Sequence, residues 1–227
     1  METLTVIPIQ AEFEFFLQGC SEQGWQAEMD KIGKLPVARL PKLGLILAQG
    51  GLGKTQFAVQ TQHLLEAIPH LNLVICAGAA GALQDDLAVG DVVVATETIE
   101  HDIRNHFGKR LLPKFSGAEA VVAAFKQVTV KTAFRLHFGP VASGDEDVVS
   151  TERRQELNAL TGALAVAWEG AGGARACRFS GVPFIEVRGV SDSADQSAAA
   201  DFVQNLPQVM RNVAQVVTAW ASHYQSV

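Results

Sequence analysis

LAVAWEGAGGARACRFSGVPFIEVRGVSDSAD, Leu164 to Asp195, is the stretch whose reading decides the fold. Leu164 to Ala167 is apolar, too short for a helix, and bounded downstream by the glycine-rich Glu169 to Gly173, so it reads as a strand. The small residues from Gly170 to Ala176 predict a helix whose backbone packs close to a sheet. Gly181-Val182-Pro183 predicts a turn, and Phe184 to Val187 a second, β-branched strand. Glu169 and Asp192 each follow the end of one of these strands. In parallel α/β sheets ligands bind outside the carboxyl ends of the strands, which puts both acids on one crevice.

Outward from this stretch the alternation continues. Thr3 to Ile9 reads as an opening strand, leading into a helix from Gln10 to Leu17 with Phe13, Phe16 and Leu17 on one face. Cys20 to Lys34 is polar and reads as irregular. Leu35 to Leu40 and Leu43 to Gln49 predict two strands across the Pro41-Lys42 turn, and Thr55 to Ile68 a helix that Pro69 stops. Leu71 to Ala77 is a continuous apolar run of the buried parallel kind, followed by a glycine turn, Gly78-Ala79-Ala80-Gly81. Asp91 to Thr98 reads as a strand, His101 to Phe115 as a long loop, and Ala118 to Gln127 as a helix. Val128 to Lys131 reads as a strand start and Leu136 to Ser143 as a strand, before the acidic turn Gly144 to Asp147 and a charged helix from Thr151 to Leu160. Phe202, Leu206, Val209, Val213, Val216 and Trp220 form one stripe of a C-terminal helix, with Asn205 as its cap and Pro207 in its first turn. No linker or repeat interrupts the chain, so residues 1–227 read as a single α/β domain.

With 227 residues the chain can bury a full core, and 48% hydrophobic with 19% charged residues is the composition of a globular protein. A net charge of −6 argues against a nucleic-acid partner, which requires a clustered basic face. No run approaches the roughly 18 apolar residues of a membrane span, and the acidic N-terminus reads as no targeting segment. Three cysteines without paired or metal-like spacing suggest reduced thiols and a cytoplasmic location.

Ala48 to Thr55, AQGGLGKT, nearly matches a phosphate loop but has Ala48 at the first glycine position. The neighbouring apolar strand ends in Cys76-Ala77-Gly78 and offers no acid for magnesium. The other reading is a glycine-rich turn before a helix that lines a ligand site. The six histidines have no metal-ligand spacing and the serines no nucleophile elbow, so neither metal nor cofactor is expected. Carboxylates are left as the chemical groups. A single acid after a strand is ordinarily a cap or a solvated residue; three, at Glu12, Glu169 and Asp192, point to chemistry.

These residues resemble the purine nucleoside phosphorylase and nucleosidase superfamily, most closely the bacterial 5′-methylthioadenosine/S-adenosylhomocysteine nucleosidases. Leu73 to Asp102, the VASGD of Val141 to Asp145, the helix of Ala165 to Cys177 around Glu169-Gly170-Ala171, and Val187 to Asp195 carry the resemblance. It implies a three-layer α/β/α sandwich around a central mixed, twisted sheet. It also implies hydrolysis of a purine nucleoside's N-glycosidic bond in a homodimer. By the same resemblance Glu12 is the general base that activates water, and Asp192, paired with Ser191, the acid that protonates the purine. Glu169 holds the ribose hydroxyls, Trp168 lies under the sugar, and Phe202 stacks on the base. Gly78, Ala79, Leu52, Asp147, Val148 and Arg188 complete the substrate site, and Phe107 is lent across the dimer interface to the 5′ group.

General physics fits these roles. An oxocarbenium-like transition state is stabilised by nearby carboxylates, with one acid on the leaving group and one base on water. Phosphorylases of this superfamily bind phosphate with arginines, and here Cys76 stands in one such place while no arginine precedes Arg39. Water is therefore the expected nucleophile. Ala79, Ala167 and Asp147 depart from the nucleosidase pattern, and the EGAG at Glu169 is similar to futalosine hydrolase. The alternatives are thus a futalosine hydrolase, a phosphorylase, or a nucleoside-binding member without turnover.

Overall fold

Strand β5 (Leu71–Ala82) is the spine of the molecule. The structure, a computed structural model, describes residues 2–104, 107–108, 111–130 and 134–224. On one side of β5 lie β1 (Glu2–Ile7) and then β4 (Leu45–Gln49), both parallel, followed by the antiparallel pair β3 (Leu35–Leu40) and β2 (Glu28–Ile32). On the other side β10 (Phe184–Asp192) runs parallel to β5 from Val74 to Gly81. It pairs antiparallel with β6 (Val92–Glu100), which carries the short β7 (Lys114–Ser116) and runs parallel to β8 (Leu136–Ser143). β8 pairs with β9 (Ala165–Ala167), and β9 returns to the end of β5 through Gly81 opposite Val166. The sheet is mixed, as the resemblance implies, and one half curls round until β9 closes it on β5.

Helices cover both faces, completing the three layers. α1 (Gln10–Glu22), α3 (Glu119–Phe125) and α6 (Ala198–Tyr224) bury Phe16, Phe125, Val213 and Trp220 against Ile75 and Val187 of the sheet. Phe125 and Trp220 stack with ring centroids 5.1 Å apart. Each such fully buried apolar side chain contributes about 1.5–3 kcal/mol. On the opposite face α2 (Gly53–Ala67) and α5 (Gly170–Ser180) bury Phe57, Leu64, Ala171 and Cys177 against Val6, Ile46 and Val74. α4 (Thr151–Thr161) closes the curled end through Leu157. The small residues of α5 serve helix packing as much as sheet packing. A Cβ on Gly172 would lie 2.2 Å from the Lys54 carbonyl oxygen of α2, so even alanine there would force the two helices apart. No helix among the described residues is long and apolar enough to cross a membrane.

Several local expectations are corrected. Gly78 to Gly81 is no turn: it continues β5, paired with β10 and then β9. Cys20 to Lys34 is not irregular, because α1 runs to Glu22 and β2 makes an exposed hairpin with β3. Residues 128–130 form no strand, and the expected loop gives way to β7 at residues 114–116; residues 105, 106, 109, 110 and 131 of these two stretches lie outside the described residues. Asn205 does not cap α6, which starts earlier, at Ala198, and contains Pro207. Interior proline costs about 3 kcal/mol, offset here by the buried stripe from Leu206 to Trp220. The Asn205 amide instead donates to the Ser191 carbonyl at 2.9 Å, tying α6 to the end of β10.

Candidate active site

The carboxyl ends of β1, β4, β5, β8, β9 and β10 converge on one edge of the sheet, around a cavity of about 530 Å³. The chain leaving each end supplies its wall: Pro8 to Glu12 after β1, Leu52 after β4, Glu146 to Val149 after β8, and Trp168-Glu169 after β9. Ala79 to Gly81 form the floor, Ser191-Asp192 end β10, and Phe202 of α6 adds to the lining. The parallel-strand rule accounts for β1, β4, β5 and β10, whereas β8 and β9 run opposite to β5 and reach the cavity because β9 closes the curled sheet on β5.

Glu12 sits in the first turn of α1 and is buried. One carboxylate oxygen accepts the Ala79 amide at 2.7 Å and the other the Ile9 amide at 3.2 Å. Burial pushes its carboxyl up to about 7, with the nearby Glu169 carboxylate adding to the rise. Glu169 opens α5, where Oε1 accepts the Gly53 amide at 3.3 Å and Oε2 the Arg188 guanidinium at 3.3 Å. Burial raises its carboxyl as well, against the lowering influence of Arg188. Two acids that share a site titrate as a pair, with one held protonated into the neutral range.

Asp192 is the last residue of β10. Its Oδ2 accepts the Ser191 hydroxyl at 2.7 Å and its Oδ1 the Ala194 amide at 2.9 Å. Burial lifts its carboxyl above the ordinary aspartate range in spite of both hydrogen bonds. Val148, another wall residue, packs in one cluster with Ala194, which places it at the Asp192 end of the cavity. Two buried acids with raised protonation ranges, on separate elements of one cavity, can divide proton donation from proton acceptance.

The cavity thus brings together Glu12, Asp192, Glu169, Trp168, Phe202, Leu52, Ala79, Asp147, Val148 and Ser191. It does not include three residues that the resemblance places at the substrate. Gly78 and Arg188 lie beneath the floor, and a Cβ on Gly78 would lie 2.5 Å from Arg188 Nη1 and 3.0 Å from Glu12 Oε1. Arg188 is buried, with its nitrogens directed at Glu186, Glu169, Cys76 and the Ala79 carbonyl. Phe107 is exposed, outside the cavity wall. The lysine of the near phosphate loop is occupied: Lys54 Nζ pairs with Glu100 at 2.9 Å and with Asp102. Among the described residues no lysine or arginine lines the cavity, and no group of three His, Cys, Asp or Glu is placed to hold a metal ion.

Some site residues escape sequence reasoning. Pro8, Ile9 and Val149 shape the wall but carry no chemical signal. Ser143 ends β8, donating to the Trp168 carbonyl at 2.8 Å and accepting the Ala171 amide at 2.9 Å, so it fixes the exit of β9 where Glu169 begins α5. Glu186 is fully buried beside Arg188. Its one sequence signal is a charged residue within the strand expected over Phe184 to Val187.

Comparison with known proteins agrees with this geometry. The family model described as "Phosphorylase superfamily" matches residues 8–222. A 5′-methylthioadenosine/S-adenosylhomocysteine nucleosidase of Actinobacillus succinogenes is 34% identical over 181 residues, covering 76% of this chain and 78% of its own. Among solved structures, that nucleosidase from Neisseria meningitidis, in complex with methylthio-immucillin-A, superposes with a TM-score of 0.83 at 28% identity, covering 98% of this chain and 100% of that one. The futalosine hydrolase of Helicobacter pylori superposes with a TM-score of 0.83 at 25% identity, covering 98% of each chain. The chain belongs to the phosphorylase superfamily and, within it, to the 5′-methylthioadenosine/S-adenosylhomocysteine nucleosidase family.

Proposed function

We propose that this chain hydrolyses the N-glycosidic bond of a purine nucleoside of the methylthioadenosine or adenosylhomocysteine type, with Asp192 as general acid and Glu12 as general base. The observation that carries the reading is the pairing of raised carboxyls at Glu12 and Asp192 in a cavity whose described lining has no cation. Asp192 gives its proton to N7 of the purine as the C1′–N9 bond breaks, and the bonding electrons leave with the base. The sugar carries the positive charge, and the Glu169 carboxylate stabilises it while holding the ribose hydroxyls. Water attacks C1′ and passes a proton to Glu12, whose raised carboxyl suits a base working near neutrality. Solvent exchange then returns both acids to their starting states.

Trp168 supports the sugar, Phe202 covers the base, Leu52 borders the 5′ end, and Asp147-Val148 edge the base pocket. Arg188 and Gly78 act from beneath, through Glu169 and Glu12. Phosphate finds no cationic partner in the wall, which favours water as nucleophile. The protein works as a homodimer in which Phe107 completes a partner's 5′ pocket. In support, Phe107, Leu111, Leu52 and Val149 are all exposed apolar side chains. It acts as one domain in the cytoplasm, consistent with three buried free cysteines.

The test is release of free purine from methylthioadenosine, adenosylhomocysteine, futalosine and inosine, each with and without phosphate. Release from either of the first two without phosphate is expected. Preferential release from futalosine would favour the hydrolase matched above, and an absolute need for phosphate would make the protein a phosphorylase. Asp192→Asn is expected to lower kcat by roughly 10²–10⁴, the range of a lost general acid, with the fold intact by circular dichroism.

A further inference from the structure

Two residues before Arg188 on β10 lies Glu186, which has no exposed surface. Residues two apart on a strand share a face, so the two side chains lie side by side. Glu186 Oε1 accepts Arg188 Nε at 2.7 Å, and Oε2 accepts the Thr98 hydroxyl at 2.6 Å. Gly170, the first residue of α5, makes room for this carboxylate: a Cβ there would sit 2.2 Å from Oε2 and 2.4 Å from Oε1.

The guanidinium makes three other contacts: Ala79 O at 3.4 Å, Cys76 Sγ at 3.2 Å and Glu169 Oε2 at 3.3 Å. All are longer than the bond to Glu186, so Glu186 is the tightest constraint on the plane of Arg188. A buried ion pair is a poor stabiliser of a fold, because desolvation of both ions offsets their attraction. This one sits under the floor of the cavity, where its free edge points at Glu169.

We infer that Glu186, held by Thr98, is a positioning residue for the hydrolysis. It fixes the guanidinium of Arg188 so that Glu169, the Ala79 backbone and through it Glu12 keep their working geometry. The inference rests on the reading of Glu12 and Glu169 given above.

The charges around the cluster set the sign of its pH signature. Glu12 faces it from α1, Glu169 from the start of α5, Cys76 from β5 and Arg188 from β10 itself. With Glu186 neutralised, the positive charge of Arg188 acts undivided on Glu169 and Glu12, so both lose their protons more easily.

The experiment compares wild type, Glu186→Gln, Glu186→Asp and Thr98→Val for base release from methylthioadenosine between about pH 5 and pH 9, with thermal unfolding alongside. In Glu186→Gln, kcat is expected to fall about tenfold with a smaller change in KM, and the acid limb of kcat/KM to move to lower pH by about half a unit. Glu186→Asp should restore the wild-type limb, and Thr98→Val should lower kcat about threefold without moving it. A folded Glu186→Gln with the wild-type kcat and limb overturns the inference. If that variant does not fold, Thr98→Val decides, and an unchanged kcat overturns it. A wild type that releases no base removes the functional reading and the inference together, whereas an active wild type with unaffected variants removes the inference alone.

Discussion

Two glycine-rich stretches reach the cavity, and each anchors one buried carboxylate by a backbone amide. Gly50 to Gly53 presents the Gly53 amide to Glu169, and Gly78 to Gly81 the Ala79 amide to Glu12. Their composition is alike and their physical role is different. The first leads into α2 and needs glycine for conformation at two positions, with φ of 83° at Gly51 and 79° at Gly53, while Gly50 is kept small by Phe57 and Val6. The second is strand, with positive φ at neither Gly78 nor Gly81, and it needs glycine for space. Its missing side chains make way for Arg188, Glu12 and Asp192. A glycine in an active site is thus explained by torsion in one place and by its neighbours in another.

Substitutions at these glycines separate the two roles. Gly78→Ala is expected to have the largest effect. Its methyl would press on the guanidinium and on Glu12, both pinned by hydrogen bonds, so kcat/KM should fall on the order of a hundredfold in a protein that still folds. Activity near the wild-type level would show that the stretch is not packed as described.

The Glu12 anchored by this stretch also sets a pH signature. With its carboxyl at about 7, kcat/KM should fall about tenfold per pH unit below that point, as the base becomes protonated. Stability carries the matching sign. A folded-state value above the ordinary 4.5 favours the protonated fold, so this contribution is full below about 4.5 and is lost as pH rises through about 7. Urea unfolding across that window measures it.

Gly81→Ala should be milder, about tenfold in kcat. Its methyl would lie 2.8 Å from Asp192 Oδ1 and 3.1 Å from Ala194 Cβ, away from Glu12 and Arg188. Gly51→Ala should be the mildest for turnover. Its methyl meets only the flexible Gln56 side chain, so the cost is the positive φ, about 1 kcal/mol in thermal unfolding with kcat retained.

Much of this architecture is legible in the sequence because its signals are local. Apolar runs such as Leu73 to Ala77 and the stripe from Leu206 to Trp220 announce a strand and a helix without tertiary help. The Gly78 to Gly81 segment reads as a turn because glycine and alanine carry no strand preference. Pairing to β10 and β9 makes it a strand. β2 is missed because its five residues are exposed or nearly so and show no apolar alternation. The start of α6 is misplaced because Pro207 locally imitates a helix beginning. At the site, the acids at strand ends are readable from spacing, but the network of Arg188, Glu186 and Thr98 is not. Thr98 and Glu186 are 88 residues apart, and only the pairing of β6 with β10 brings them together.

The run of small residues from Ala77 to Ala82 has a consequence for how such a pocket can diverge. At Gly78 and Gly81 an added side chain would meet Arg188, Glu12 or Asp192, which leaves these two positions little to vary. Shifts in substrate preference must therefore accumulate on the rim, at Leu52, Asp147, Trp168 and Phe202, none of which is fully buried. Rim changes leave the packed layers untouched and cost little stability. Single replacements on that rim are expected to shift nucleoside preference while Glu12, Glu169 and Asp192 keep their places.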